Sequence, residues 1–349
     1  MHKINIIHLG IGNVGKEFIK EIGEVSPSWK RKYGIFLNYC GMFGSKGGVF
    51  DAEGLSEKKI KNFPKTSSGV DVKEVLEAIA DPFILIDTTA SDKTLELFML
   101  TFSHGGYVVT SNKKPFTQSQ EQFDQLEKYF GKKIFFETTV GAALPVISTL
   151  NNFIDTGDSI SEIKGCFSGT LGYIFFHLEE GMLFSQAVKQ AKERGFTEPD
   201  PRDDLSGMDV ARKALILARL LGKRIEIEDI KTESLYPQNM DGLTVDKFME
   251  TIRRFDNEYK KKICKVGARS RTLRYVASVT ASSCTVGVEE VEKNGDLGNL
   301  KGPDNIIVFK TKRYDKNPLV VRGPGAGASV TAEGVLADVL EAAKFIYHS

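Results

Sequence analysis

The 349-residue chain lacks the charge imbalance, the long apolar runs and the cysteine pairs that mark several large functional classes. Its 47 Lys and Arg stand against 46 Asp and Glu, a net charge of +1, so neither nucleic acid nor a membrane surface is indicated as a partner. No apolar run approaches the roughly 18 residues of a membrane span. The opening "MHKINIIHLG" is too short for a secretory signal and runs into a glycine cluster, which makes it a strand. Cys40, Cys166, Cys264 and Cys284 are scattered without a CxxC pair or a histidine-rich neighbourhood. That pattern argues against structural zinc and fits reduced thiols in a cytoplasmic protein. Repeats and low-complexity tracts are absent as well. What is present is ordinary globular composition, 41% hydrophobic, in a chain long enough for two domains with separate cores.

The first half alternates strand and helix patterns. "INIIHL" is followed by Gly10-Ile11-Gly12-Asn13-Val14-Gly15 and then by Val14, Phe18, Ile22 and Val25 at helical spacing. Glycines at such a junction let the backbone turn tightly and approach a pyrophosphate, which sits against the free N–H groups of the helix start. The pattern therefore makes Gly10, Gly12, Asn13, Val14 and Gly15 candidates for binding a dinucleotide. Further strands are predicted at "GIFLNYCGMFGS", "PFILIDTTAS", "GYVVTSNKK" and "KKIFFETTVG", giving an α/β domain with a doubly wound parallel sheet. An acidic residue at the end of the second strand would hold the ribose hydroxyl of NAD. Here Gly44-Ser45-Lys46 stands instead, so Ser45 and Lys46 suit the 2′-phosphate of NADP unless they are a plain surface turn. Thr89, Ala90 and Ser91 end the next strand with side chains small enough to line a nicotinamide pocket. Lys113, in "SNKKP", is either an active-site cation or a solvated loop lysine.

Three segments are expected. Residues 1–143 form the NAD(P)-binding Rossmann domain and 144–322 an α+β substrate-binding and dimerisation domain. Residues 323–349 form a glycine turn, with Gly325 a further cofactor candidate, and a helix docking back on the nucleotide domain. In the middle segment "RTLRYVASVTASSCTVGVEEV" and "NIIVFKTKRY" alternate as strands with one wet face, and "TVDKFMETIRRFDNEYKKKI" is a long charged helix.

The stretch "GFTEPDPRDDLSGMDVARK" carries five carboxylates ahead of Lys213. Taken alone, Asp209 and Lys213 are an i,i+4 ion pair on the polar face of a helix. The preceding loop, stiffened by Pro199 and Pro201, concentrates Glu198, Asp200, Asp203 and Asp204, an acidity that self-repels unless a cation is held there. An ammonium group meets that need. Ser168-Gly169-Thr170-Leu171 is a strand-to-helix turn whose N–H groups suit a carboxylate. One pocket of each kind describes an amino acid.

"GIGNVG", "DTTAS", "SNKK", "ETTVGAALP", "FSGTLGYIF", "GFTEPDPRDDLSGMDVARK" and "GPGAG", in that order over nearly the whole chain, resemble the homoserine dehydrogenase family. The resemblance implies NADP(H)-dependent interconversion of L-aspartate 4-semialdehyde and L-homoserine, with NAD(H) a second cofactor, on the route to threonine and methionine. It implies Lys213 as catalytic acid/base and Lys113 as a second active-site lysine that also lies at the cofactor. Gly169, Thr170, Glu198, Asp204 and Asp209 match substrate positions, and Asp209, one turn before Lys213, is placed to orient its ammonium. Glu137, Val140, Ala142 and Leu144 match a loop that binds a monovalent cation such as Na+, largely through backbone carbonyls. Phe196 departs from the tyrosine that some members carry. A homodimer is implied, and the chain's length implies a monofunctional member without a C-terminal regulatory domain. Two rival readings are another NADP-linked reductase and a silent dinucleotide sensor; a sensor would carry a partner surface such as a basic DNA-reading helix, which the sequence does not show.

Overall fold

The computed structural model describes residues 2–65, 69–80 and 82–348. The chain divides into two compact units, Met1–Ala143 with Gly327–Ser349, and Leu144–Ala326.

The first unit is built on six strands: β1 (His2–Leu9), β2 (Ile35–Gly44), β3 (Gly47–Phe50), β4 (Phe83–Asp87), β5 (Tyr107–Thr110) and β6 (Ile134–Phe135), in the order β3-β2-β1-β4-β5-β6. β1 lies parallel to both β2 and β4, which places a topological switch point at its carboxyl end. Ile4, Ile6 and Ile7 of β1 are fully buried. Covering on both faces is what turns a parallel strand into a continuous apolar run. The 21-residue helix Asn13–Tyr33 returns from β1 to β2 and stops at Gly34, whose φ of +70° closes the end with its N–H on the Lys30 carbonyl. Phe18, Ile22 and Trp29 of this helix pack with Val335, Val339 and Ala342 of the final helix, Ala328–His348, in one core. The sheet is not parallel throughout, contrary to expectation. β3 runs antiparallel to β2, because Gly47 with φ +113° and the two-residue turn Ser45-Lys46 reverse the chain where a helical crossover would be needed for a parallel strand.

The second unit carries β7 (Ile160–Cys166), β8 (Lys231–Thr232), β9 (Arg271–Thr280), β10 (Cys284–Glu292), β11 (Asp304–Thr311) and β12 (Leu319–Pro324), ordered β12-β11-β7-β9-β10-β8. All pairings are antiparallel except β10 with β8. The expected wet face is missing from β9, whose residues 272–279 are all buried. This strand is central: helices Gly169–Glu179, Met208–Leu220 and Asp256–Gly267 pack on it, and Val276 joins Leu297 and Leu300 in a separate apolar cluster. "TVDKFMETIRRFDNEYKKKI" is two helices, Val245–Thr251 and Asp256–Gly267, joined by a 3-10 turn in which Ile252 is fully buried.

Candidate functional site

At the carboxyl edge of the first sheet, Leu9 pairs with Phe43 on one side and Asp87 on the other. The segments 10–15, 44–47 and 88–91 therefore leave the sheet side by side. Gly10 has φ +89°, and a Cβ on it would lie 2.7 Å from Thr89; one on Gly15 would lie 2.3 Å from the Gly10 carbonyl oxygen. Both positions must be glycine for the turn to close. Gly12 caps the Asn13–Tyr33 helix without a side-chain hydrogen bond, and the first turn, starting at Asn13 and Val14, carries no acidic residue. Such a helix start presents backbone N–H groups to an anion. Ser45 and Lys46 are exposed at the tip of the β2–β3 hairpin.

The loop bearing Thr89, Ala90 and Ser91 is held from beneath. Thr89 N–H donates to Asp87 Oδ1 at 2.8 Å, and Ser91 N–H to Thr89 Oγ1 at 3.2 Å. Asn112 Nδ2 lies within 2.7 to 3.3 Å of Ser91 O, Asp87 Oδ2, Thr94 Oγ1 and Thr89 Oγ1, so its two N–H groups are shared among four acceptors. Asp87 is fully buried, and burial raises its carboxyl above the usual range against the pull of these bonds. Lys113 follows Asn112 directly, half-buried, before a 3-10 turn at Lys114–Thr117. Sequence reasoning missed Asp87 and Asn112 as organisers of this edge. The available signal was a carboxylate ending the otherwise apolar run "FILID".

The cation-loop candidates follow β6. Glu137 N–H donates to Asp338 Oδ2 at 3.0 Å, Val140 is fully buried, and Gly141 and Ala142 both take left-handed φ values, +86° and +53°. Leu144 begins the second unit. Asp338, on the final helix, was not foreseen; burial raises its carboxyl well above the ordinary range. Among the described residues there is no cluster of three or more His, Cys, Asp or Glu suited to a metal ion.

The second unit brings the remaining candidates together. Lys213 is 7% exposed, and its Nζ donates to the Phe167 carbonyl at 2.6 Å and pairs with Asp209 Oδ2 at 2.9 Å. The expected solvated face of this helix is thus a buried one at Lys213, because the strand-to-helix turn packs over it. Ser168 caps the helix Gly169–Glu179 by accepting from Leu171 N–H, and a Cβ at Gly169 would meet the Pro303 carbonyl at 2.8 Å. Thr170 Oγ1 lies 2.9 Å from Asp204 Oδ1 and 2.5 Å from the Phe196 carbonyl. Glu198 N–H donates to Asp204 Oδ2 at 2.8 Å. Burial pushes the Asp204 carboxyl up to about 6, opposed by these two hydrogen bonds.

One expectation is corrected. The acidity of this loop does not wait for an outside cation at every carboxylate. Asp200 is neutralised by Arg202, with Nε and Nη2 at 2.6 to 3.1 Å from its oxygens, while Arg202 Nη1 also reaches the carbonyls of Met240, Asp241 and Leu243. Gly325 lies in the second unit, apart in the chain's division from the other cofactor candidates; a Cβ there would sit 1.9 Å from Asn305 Nδ2.

A Rossmann-type unit with a glycine cradle at its switch point, joined in one chain to an antiparallel-sheet unit holding a buried lysine paired with a carboxylate, defines a two-unit α/β protein of the Rossmann type. Residues 145–340 match the family model described as homoserine dehydrogenase, and the chain belongs to that family. The bifunctional aspartokinase/homoserine dehydrogenase of Haemophilus influenzae is 35% identical over 347 residues, covering 97% of this chain and 42% of the relative. The chain thus spans less than half the length of that curated relative. Among solved structures, a Candida auris protein of unknown function aligns with TM-score 0.90 at 33% identity, covering 98% of each chain. A hyperthermophilic archaeal homoserine dehydrogenase in complex with NADPH aligns with TM-score 0.74 at 25% identity, again over 98% of both chains.

Proposed function

We propose that the chain catalyses the NADPH-dependent interconversion of L-aspartate 4-semialdehyde and L-homoserine, a step toward threonine and methionine. The observation that carries this reading is Lys213, a nearly dehydrated ammonium held by the Phe167 carbonyl just ahead of the helix that carries Thr170 and paired with Asp209, whose charge acts on the Asp204 that Thr170 and Glu198 bond. The cradle in which a Cβ at Gly10 or Gly15 would collide fits a dinucleotide. When bound, NADPH supplies the hydride for the aldehyde carbon. Gly10, Gly12, Asn13, Val14 and Gly15 would receive its pyrophosphate, Ser45 and Lys46 its 2′-phosphate, and Thr89, Ala90 and Ser91 would line its nicotinamide, with Lys113 a further cofactor residue of the same unit.

Lys213 Nζ gives its proton to the alkoxide oxygen as the alcohol forms, and takes it back in the reverse direction. Asp209 and the Phe167 carbonyl fix the direction of that ammonium group. The N–H groups at Gly169 and Thr170 hold the substrate carboxylate, and Glu198 and Asp204 hold its ammonium. Lys113 is the second active-site lysine of this reading. A monovalent cation such as Na+ would be held by the segment 137–144, through the carbonyls of Glu137, Val140, Ala142 and Leu144. NAD(H) serves as the weaker cofactor. The protein works in the cytoplasm as a homodimer.

The deciding experiment is a spectrophotometric assay of NADP+ and NAD+ reduction by the pure protein with L-homoserine, with L-serine and L-threonine as controls. Turnover of homoserine alone is expected. No turnover with either cofactor ends this reading.

A further inference from the structure

Beneath the glycine turn runs a hydrogen-bonded chain that none of the assigned roles uses. His8 is fully buried in β1, its Nδ1 against the Tyr39 hydroxyl and its Nε2 2.8 Å from Thr88 Oγ1. Thr88 Oγ1 in turn lies 2.6 Å from the Gly10 carbonyl oxygen and 3.2 Å from that of Leu9. A carbonyl only accepts, so the single proton of the Thr88 hydroxyl is directed to the backbone. The hydroxyl oxygen must then receive its hydrogen bond from His8, which places the imidazole proton on Nε2. Nδ1 is left with a lone pair and accepts from the Tyr39 O–H. The order of donors is thereby fixed along the whole chain: Tyr39 to His8, His8 to Thr88, Thr88 to Gly10. Burial lowers the His8 pKa to about 3, so the ring stays neutral and keeps one donor and one acceptor.

What this chain holds is an oxygen in a socket. A Cβ on Gly15 would lie 2.3 Å from the Gly10 oxygen and 3.0 Å from Thr88 Oγ1, so the carbonyl points into the protein between the two. In a trans peptide the N–H of the next residue points opposite to that carbonyl. Ile11 N–H is therefore turned outward, on the side of the turn away from Thr88. A flip of this one peptide would replace a donor with an acceptor in front of any bound anion.

We propose that Tyr39, His8 and Thr88 form a positioning relay that locks the Gly10–Ile11 peptide, so that the Ile11 N–H is presented to the pyrophosphate of the dinucleotide. The proposal rests on the dinucleotide reading of the preceding section. It assigns these residues to cofactor affinity and not to the chemical step.

The test measures NADPH dissociation constants by fluorescence titration, kcat and the homoserine KM at saturating NADPH, and the thermal midpoint, for Thr88→Val, Thr88→Ser, His8→Leu and His8→Gln. Thr88→Val is expected to weaken NADPH about tenfold, the worth of one lost hydrogen bond of about 1.4 kcal/mol, and to leave kcat at saturation within about twofold. Thr88→Ser, which keeps the hydroxyl, should bind NADPH within about threefold of the parent. His8→Gln should be weakened less than His8→Leu, because the amide can still donate to Thr88. Unchanged NADPH affinity in a folded Thr88→Val, or an equal fall in cofactor affinity and kcat, overturns the role. Where Val or Leu fails to fold, the Thr88→Ser comparison and the ¹⁵N spectrum of His8 in the unaltered protein decide. A neutral Nε2–H ring is expected, and an Nδ1–H or doubly protonated ring overturns the relay. If the unaltered protein binds no NADPH, the dinucleotide reading itself falls and this role with it; the ¹⁵N spectrum tells that failure from a wrong hydrogen-bond order.

Discussion

A lysine that is 7% exposed and bonded to both a carbonyl and a carboxylate has exchanged most of its hydration for two fixed partners. An exposed i,i+4 pair contributes at most about 0.5 kcal/mol, and its loss would leave catalysis untouched. Under the proposed function Lys213→Ala should instead lower kcat by roughly 10² to 10⁴ while NADPH still binds, as stopped assays and cofactor titration will show. Normal kcat in that variant removes the assignment. Asp204 makes a second prediction at this scale. Its carboxyl is raised from 3.8 to about 6 in the folded protein, so the folded state holds the proton more tightly than the unfolded chain between those values. The resulting stabilisation is complete below about pH 4 and is lost as pH rises through about 6. Asp204→Asn cannot titrate, so its stability relative to the parent should rise across that window. Urea midpoints at a series of pH values check this, and a constant difference would contradict the burial argument. At Lys46 the expected result is a raised NADPH KM in Lys46→Ala with NADH nearly unchanged; equal losses for both would mean that the residue does not read the 2′-phosphate.

Among the elements, the turn between the acidic loop and the helix Met208–Leu220 is tightly specified. Gly207 caps that helix with φ +74°, and a Cβ there would fall 1.8 Å from the Tyr275 hydroxyl, which donates to the Glu233 carbonyl. Gly207→Ala therefore combines left-handed strain of about 1 to 3 kcal/mol with a collision against β9. Its unfolding midpoint in urea should drop accordingly, and Tyr275→Phe in the same chain should recover part of the loss by removing the colliding oxygen. Full recovery would mean that backbone strain is negligible. The β2–β3 hairpin shows the limit of reading elements from strings. "GSKGG" was legible as a turn, but a turn alone does not say whether the next strand comes back antiparallel or crosses over. The direction followed from Gly47 adopting φ +113°, a choice made in the fold.

Over the whole molecule, the second sheet raises the question of assembly. β12 alternates half-buried and exposed residues, and the exposed Val320 lies on it at 37%. The proposed homodimer pairs this mixed sheet with its copy about a two-fold axis. Light scattering at micromolar concentration should give twice the 38.6 kDa chain mass, and a particle of single mass would refute it.

The sequence by itself determined the α/β character of the first unit, the glycine turn at its first strand-to-helix junction and the family to which the chain belongs, because each is written in local chemistry. Gly10 and Gly15 are needed where backbone meets backbone, and an apolar run is needed where a strand is covered on both faces. Tertiary structure alone decided which charges are already satisfied within the chain. Arg202 folds back on Asp200, Thr170 reaches Asp204 across 34 residues, and Lys213 is drawn against Phe167 across 46. It also decided that His8, a polar residue in a mostly apolar strand, joins Tyr39 and Thr88 beneath the turn. Hydrogen bonds between residues far apart in the chain leave no periodic trace, since each partner is compatible locally with solvent, and only the packing of strands side by side brings donor to acceptor.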